Sequence, residues 1–204
     1  MTETTAAIFH HDRYVVLPAL LNEPTLSQVY GYACKCADAG RMSPGDEQVP
    51  DTPCAYRDFI MEGLLISLLP EIEHASGLAL SPTYSYFRVY KHGDSLARHT
   101  DRPSCEISLS LCLGFEQGES WPFWIEGRGG AASINLAPGD AVLYRGMELP
   151  HWREKFEGRR QAQLFLHYVD QNGPCTEWRF DKKEATGELQ PAVHSPKRNR
   201  HMPA

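Results

Sequence analysis

The sequence predicts a mainly β, α+β protein, a sandwich or jelly roll carried on N-terminal helices, and three observations predict it. Helical spacing of apolar residues dominates the first 80 positions; short β-like runs replace it from Thr83 to Val169; and glycine or proline turns separate those runs. With 204 residues, 42% of them apolar, the chain can bury one sizeable core. We read a single domain over 1–204, with helical support in 1–80, a β core in 83–170 and a tail in 171–204.

Taken in order, Tyr14 to Leu17 reads as a short strand ended by Pro18. Asn22 precedes Glu23 and Pro24 at a helix start, and Leu26, Val29, Tyr30, Ala33 and Ala37 follow at helical spacing before Gly40. The segment Gly40 to Cys54 has three prolines and two glycines, hence a long loop and a candidate lid. Ala55 to Ser76 resumes a helical pattern through Leu64, Leu65, Leu68, Leu69 and Ile72; Pro70 breaks or kinks it and Gly77 stops it. Strands are then predicted at Thr83 to Tyr90, Ile107 to Leu113, Trp121 to Ile125, Ser133 to Leu136, Ala141 to Tyr144, Leu149 to Trp152 and Arg160 to Val169.

Two of these strands can be oriented. Ile107, Leu109, Leu111 and Leu113 alternate with Ser108, Ser110 and Cys112, so large side chains pack on the helices and small ones face a cavity. In the last strand Arg160 shares its face with Ala162, Leu164, Leu166 and Tyr168, whereas Gln161, Gln163, Phe165 and His167 take the other. A guanidinium on an apolar face needs a partner, and a bidentate carboxylate suits it best.

Composition narrows the class. No apolar run approaches membrane-spanning length, and MTETTAAIFHHD has neither a secretory nor a transit pattern, so a cytoplasmic location is expected. The six cysteines are expected to be reduced, and Cys34 and Cys36 lack a second pair for zinc. Net charge is −6 and basic residues are scattered apart from Lys197, Arg198 and Arg200, which argues against nucleic acid as partner. The Arg153/Arg159 spacing, which matches an R-x5-R pattern of nucleic-acid demethylases, is set aside as chance.

The chemistry-bearing pattern is His99-Thr100-Asp101, joined by the distant His151 and then by Arg160. In extended chain, side chains at i and i+2 share a face, so His99 and Asp101 can present an imidazole and a carboxylate to one ion. With His151 they make a two-histidine, one-carboxylate set that leaves open positions, as in non-haem Fe(II) oxygenases and unlike closed structural zinc sites. His92-Gly93-Asp94 is a second H-x-D, but it sits on a glycine turn and is not the preferred pair. His167 reads as a surface or packing residue. Trp121, Phe123, Trp124 and Trp152 could floor a substrate pocket but read as core by default, and Arg102 with Glu106 reads as a pair that either flanks the metal or is solvated at the surface.

The stretch from Tyr90 through Gly93 to His99-Thr-Asp101, the hairpin Leu136-Ala-Pro-Gly-Asp140-Ala-Val-Leu-Tyr144, His151 and Arg160 together resemble the 2-oxoglutarate and Fe(II)-dependent dioxygenases, in particular the prolyl-4-hydroxylase-like branch. The resemblance implies a double-stranded β-helix with supporting N-terminal helices, and metal ligation and catalysis by His99, Asp101 and His151. It also implies 2-oxoglutarate held at its far carboxylate by Arg160, touched by Tyr90, in a pocket lined by Ser108, Ser110 and Cys112. Fe(II) and 2-oxoglutarate are then the cofactors, with ascorbate as reductant in vitro. O2 would be consumed, succinate and CO2 released, and a small molecule or protein side chain hydroxylated. Asp101 favours hydroxylation, because halogenating members lack that carboxylate. The rival expectation is a non-catalytic, cupin-like jelly roll that binds metal or ligand without turnover. Neither substrate identity nor oligomeric state is written in the chain.

Overall fold

The computed structural model describes residues 4–116 and 120–182. Its helical layer begins with α1 (Thr5–Asp12), a helix absent from the sequence reading. The Thr4 hydroxyl accepts the Ala7 N–H at 3.3 Å, and Arg13 closes the other end with φ 70°. Eight residues are too few to hold a helix alone, so tertiary burial of Phe9 supplies what local propensity lacks. After β1 (Tyr14–Leu17), α2 (Thr25–Asp38) follows as the periodicity predicts and buries Leu26, Val29 and Ala33.

The helix expected over 55–76 is in fact a strand and two helices: β2 (Cys54–Tyr56), α3 (Phe59–Ser67) and α4 (Leu69–Ser76). Asp58 decides the first boundary. Its carboxylate accepts the N–H groups of Ile60 and Met61 at 3.0 and 3.3 Å, which starts α3 there and frees the preceding residues for sheet pairing. Leu68 separates the two helices, and Pro70 falls in the first turn of α4, where its missing N–H has no partner to lose.

Six strands make the larger antiparallel sheet. With β3 (Leu80–Lys91), β5 (Ile107–Glu116), β8 (Ala141–Arg145) and β10 (Arg160–Asp170), its order is β1-β8-β5-β10-β3-β2. The smaller sheet joins β4 (Leu96–His99), β6 (Phe123–Gly127), β7 (Gly130–Ile134) and β9 (His151–Arg153) in the order β4-β9-β6-β7. Two facing antiparallel sheets of this kind form the expected double-stranded β-helix. Strand β4 went unread because it is four residues long, carries Arg98, and pairs only with β9 through an irregular register.

Alternation sorts the larger sheet into two chemistries. Ile107, Leu109, Leu111, Leu164 and Leu166 are fully buried against Phe9, Val29, Met61 and Ile72 of the helical layer. Burying each of these leucines or isoleucines contributes about 1.5–3 kcal/mol. The opposite face looks between the sheets, where Cys112, Phe123, Ile125, Val142 and Tyr144 pack together. All six cysteines are buried and unpaired. No helix among the described residues is long and apolar enough to cross a membrane. The basic positions Lys197, Arg198 and Arg200 lie outside the described residues.

Candidate metal centre

Strand β4 ends on His99, β9 begins on His151, and the two are register partners in the smaller sheet. Pairing brings their rings to a centroid separation of 4.3 Å. Each Nδ1 lies 2.9 Å from a backbone carbonyl, that of Ala97 for His99 and of Leu149 for His151. A carbonyl only accepts, so each Nδ1 donates and each Nε2 keeps its lone pair for an ion. Both Nε2 atoms point at the same carboxylate oxygen, Asp101 Oδ1, at 3.6 Å from His99 and 3.5 Å from His151. The three ligand atoms lie within 4.8 Å of one another.

Asp101 is held from behind. Its N–H donates to Gly146 O at 2.9 Å, and its Oδ2 accepts the Ser108 hydroxyl at 2.7 Å. Gly146 is the residue this arrangement requires, since a Cβ there would meet Asp101 Oδ2 at 2.2 Å and Cys105 O at 2.5 Å. In the metal-free protein burial pushes the Asp101 carboxyl up, but the His151 and His99 rings, which donate from Nε2 when protonated, outweigh it and hold the group well below the usual carboxylate range. The ligand is therefore ionised at neutral pH.

His167 joins this support, which the sequence reading did not foresee. Its Nδ1 lies 3.0 Å from Ser108 Oγ, and burial pushes its pKa down to about 4, so it is neutral at physiological pH. Parity was the available signal: His167 stands on the face of β10 shared with Gln161 and Gln163, opposite the leucines. Asp101, Cys105 and His167 form a second cluster with metal-like spacing. Burial pushes the Cys105 thiol up to about 12, which leaves it protonated in the metal-free protein and makes its cluster the weaker donor set of the two.

A cavity of about 360 Å³ opens over the triad, lined among others by Tyr90, Arg88, Phe123, Tyr144, Phe165 and His167. Asp46 and Gln48 of the predicted lid loop also line it. Asp46 accepts from Arg88 Nη2 at 2.5 Å and from the Tyr86 hydroxyl at 2.7 Å, which pins the loop to β3. Of the other residues singled out in sequence, Tyr90 reaches the cavity and Ser108 stands behind Asp101. Ser110 accepts from Gln163 Nε2 at 2.9 Å, and Cys112 packs in the core between the sheets. Neither lines the cavity. Asp94 is used by the turn, accepting from Thr52 Oγ1 and the Lys91 N–H at 2.8 Å each. Arg102 and Glu106 do not pair: Arg102 bridges to Asp181, and Glu106 accepts the Asp170 N–H.

The structure does not bring Arg160 to the triad. Its Nη2 and Nη1 donate to the two oxygens of Asp38 on α2 at 2.7 and 3.2 Å, Glu116 lies 3.7 Å away, and the side chain is 25% exposed. The apolar face it shares with Leu164 and Leu166 is the helix-facing one, so strand alternation carries the guanidinium away from the cavity. Arg153, set aside in the sequence, is instead interior and 2% exposed.

No protein-family model and no curated protein sequence matches the chain. Solved structures do. A prolyl-4-hydroxylase from Pseudomonas putida superposes with a TM-score of 0.65 at 18% identity, over 81% of this chain and 97% of that one. A Trichoplax adhaerens prolyl hydroxylase, in complex with a hypoxia inducible factor peptide fragment, gives 0.67 at 13% identity over 82% and 88%. HygX from Streptomyces hygroscopicus, with nickel, 2-oxoglutarate and hygromycin B bound, gives 0.64 at 14% identity over 84% and 88%. The chain therefore has the double-stranded β-helix of the 2-oxoglutarate and Fe(II)-dependent oxygenases.

Proposed function

We propose that this protein is a 2-oxoglutarate- and Fe(II)-dependent dioxygenase that hydroxylates a small molecule or a protein side chain. One observation carries the reading: two imidazoles, each oriented through Nδ1 by a backbone carbonyl, turn their Nε2 atoms to one buried carboxylate at the mouth of a cavity. His99, Asp101 and His151 would hold the iron, and a donor set of two nitrogens and one oxygen leaves positions open for a chelating 2-oxo acid and for O2. When bound, the metal and its cosubstrate supply the oxidising power, with O2 consumed and succinate and CO2 released.

The chain's own residues do the rest. Ala97 O and Leu149 O fix the imidazole orientations, and Ser108 with Gly146 fixes the carboxylate. Tyr90, Phe123 and Tyr144 wall the cavity and limit the water that reaches the reacting centre. Asp46 and Gln48 bring the lid loop to the substrate side, where specificity would be set. The neighbours support both substrate classes, since one is described with a peptide and another with hygromycin B.

Purified protein supplied with Fe(II), ascorbate and 2-oxoglutarate is expected to form succinate above a His99→Ala control, first in the uncoupled reaction and faster with a true substrate. Equal succinate in both proteins, with candidate peptides and small molecules present, would leave the rival reading of a jelly roll that binds without turnover.

A further inference from the structure

Arg153 is fully interior, and no carboxylate among the described residues neutralises it. It lies two residues beyond His151 on β9, so strand alternation turns it to the same interior side as the metal ligand. Nη1 donates to Trp121 O at 2.5 Å, while Nε and Nη2 have no hydrogen-bond partner among the described residues. The guanidinium stacks on Trp121 at 4.9 Å and on Phe123 at 5.4 Å. Among the described residues no carboxylate pairs with it; the ionisable groups that act on it are Tyr90, Cys112 and Tyr144.

The other buried or half-buried arginines nearby differ. Arg88 is also 2% exposed, yet it has Asp46, and Arg160 has Asp38 and Glu116. Leaving a charge buried and unpaired is among the costliest arrangements a core can hold, and a fork with two idle donors matches a carboxylate. Tyr90 and Phe123 line the cavity on one side and pack with the Trp121–Arg153 stack on the other, which places the cation one side chain behind the metal site.

We propose that Arg153, and not Arg160, receives the far carboxylate of the cosubstrate. This assignment rests on the dioxygenase reading and sharpens it. The position nine residues after the distal histidine is spent on an ion pair with the helical layer, and the anchoring cation has moved to the strand that carries the histidine itself. A 2-oxo acid would be selected for a second carboxylate by this buried cation.

The test compares two ligands that differ in that carboxylate, 2-oxoglutarate and 2-oxopentanoate. Binding is measured without O2 on the Mn(II)-loaded full chain, by calorimetry, for the wild type, Arg153→Gln, Arg153→Lys and Arg160→Gln. Wild type and Arg160→Gln are expected to prefer 2-oxoglutarate by at least about thirtyfold, the lower end for truncating a buried charge pair. In Arg153→Gln that preference collapses while Mn(II) affinity and 2-oxopentanoate affinity are retained. Arg153→Lys, which keeps the charge and loses the fork, falls between, and it carries the test if the glutamine variant does not fold. A purely structural Arg153 would move affinity for both ligands together. A preference preserved in the Arg153 variants, or lost in Arg160→Gln, overturns this assignment and leaves the dioxygenase reading standing. A wild type that binds Mn(II) but neither 2-oxo acid overturns both.

Discussion

The two faces of β10 set two designs side by side. Toward the helices, Ala162, Leu164, Leu166 and Tyr168 are fully buried, and the strand's one cation, Arg160, is paired at the rim. Toward the smaller sheet, Gln161, Gln163 and His167 are just as buried but polar, joined to Ser110 and Ser108, with Gln161 Oε1 left idle. The outer face provides apolar burial and asks nothing of a ligand. The inner face spends stability on groups that hold Asp101 and wait for a partner. Stability and chemistry are thus separated by a single alternation along the same eleven residues.

If that separation is real, changes on the two faces should have different signatures. Leu164→Ala, on the outer face, is expected to cost about 2–5 kcal/mol in urea unfolding while leaving metal affinity unchanged. An equal loss of metal binding would show that the faces are coupled. Gly146→Ala, behind the inner face, should strike both properties, since a Cβ there overlaps Asp101 Oδ2 and the backbone Cys105 O alike. By displacing Asp101 it is expected to weaken divalent metal binding by about a hundredfold, the upper end for a group that orients a ligand, a loss that Leu164→Ala does not show.

His167 gives the inner face a pH signature in the metal-free protein. Its value of about 4 lies below that of an unfolded histidine, about 6.5, so between those limits the unfolded chain binds a proton that the native chain refuses. This contribution is complete above pH 6.5 and shrinks as pH falls toward 4. Going from pH 7 to pH 5 should cost the wild type about 2 kcal/mol more than it costs His167→Gln. Identical slopes in the two proteins would mean that His167 is not desolvated as placed. The smallest effect is expected at the rim: Arg160→Ala should change stability by no more than about 1 kcal/mol, because its partner Asp38 is 59% exposed.

Much of this organisation was legible in the chain. The alternation of Ile107, Leu109, Leu111 and Leu113 with Ser108, Ser110 and Cys112 states which side faces the helices, and the structure agrees. The His-x-Asp unit and the distant histidine were readable as types and order, and strand pairing supplies the convergence. The same parity placed Arg160 beside Leu164; only its assigned role turned it inward, against the alternation. Arg153 was overlooked for the complementary reason, since its role depends on two residues of spacing from His151 and on the absence of any facing carboxylate. Absence of a partner is a property of the folded surroundings. Gly146 was hidden, because it acts on Asp101 from outside its sequence neighbourhood, and parity gave the face of His167 but not its link to Asp101 through Ser108. The helix α1 and strand β4 are short and owe their form to packing, which periodicity does not report.

The central claim is that residues from β4, β9 and the turn after β4 form one divalent metal site. Anaerobic calorimetric titration of metal-free protein with Fe(II), set against His151→Ala, addresses it most directly. The account predicts a single site in the wild type and at least about a hundredfold weaker binding in the variant. Equal binding in the two proteins, or none in the wild type, would contradict it.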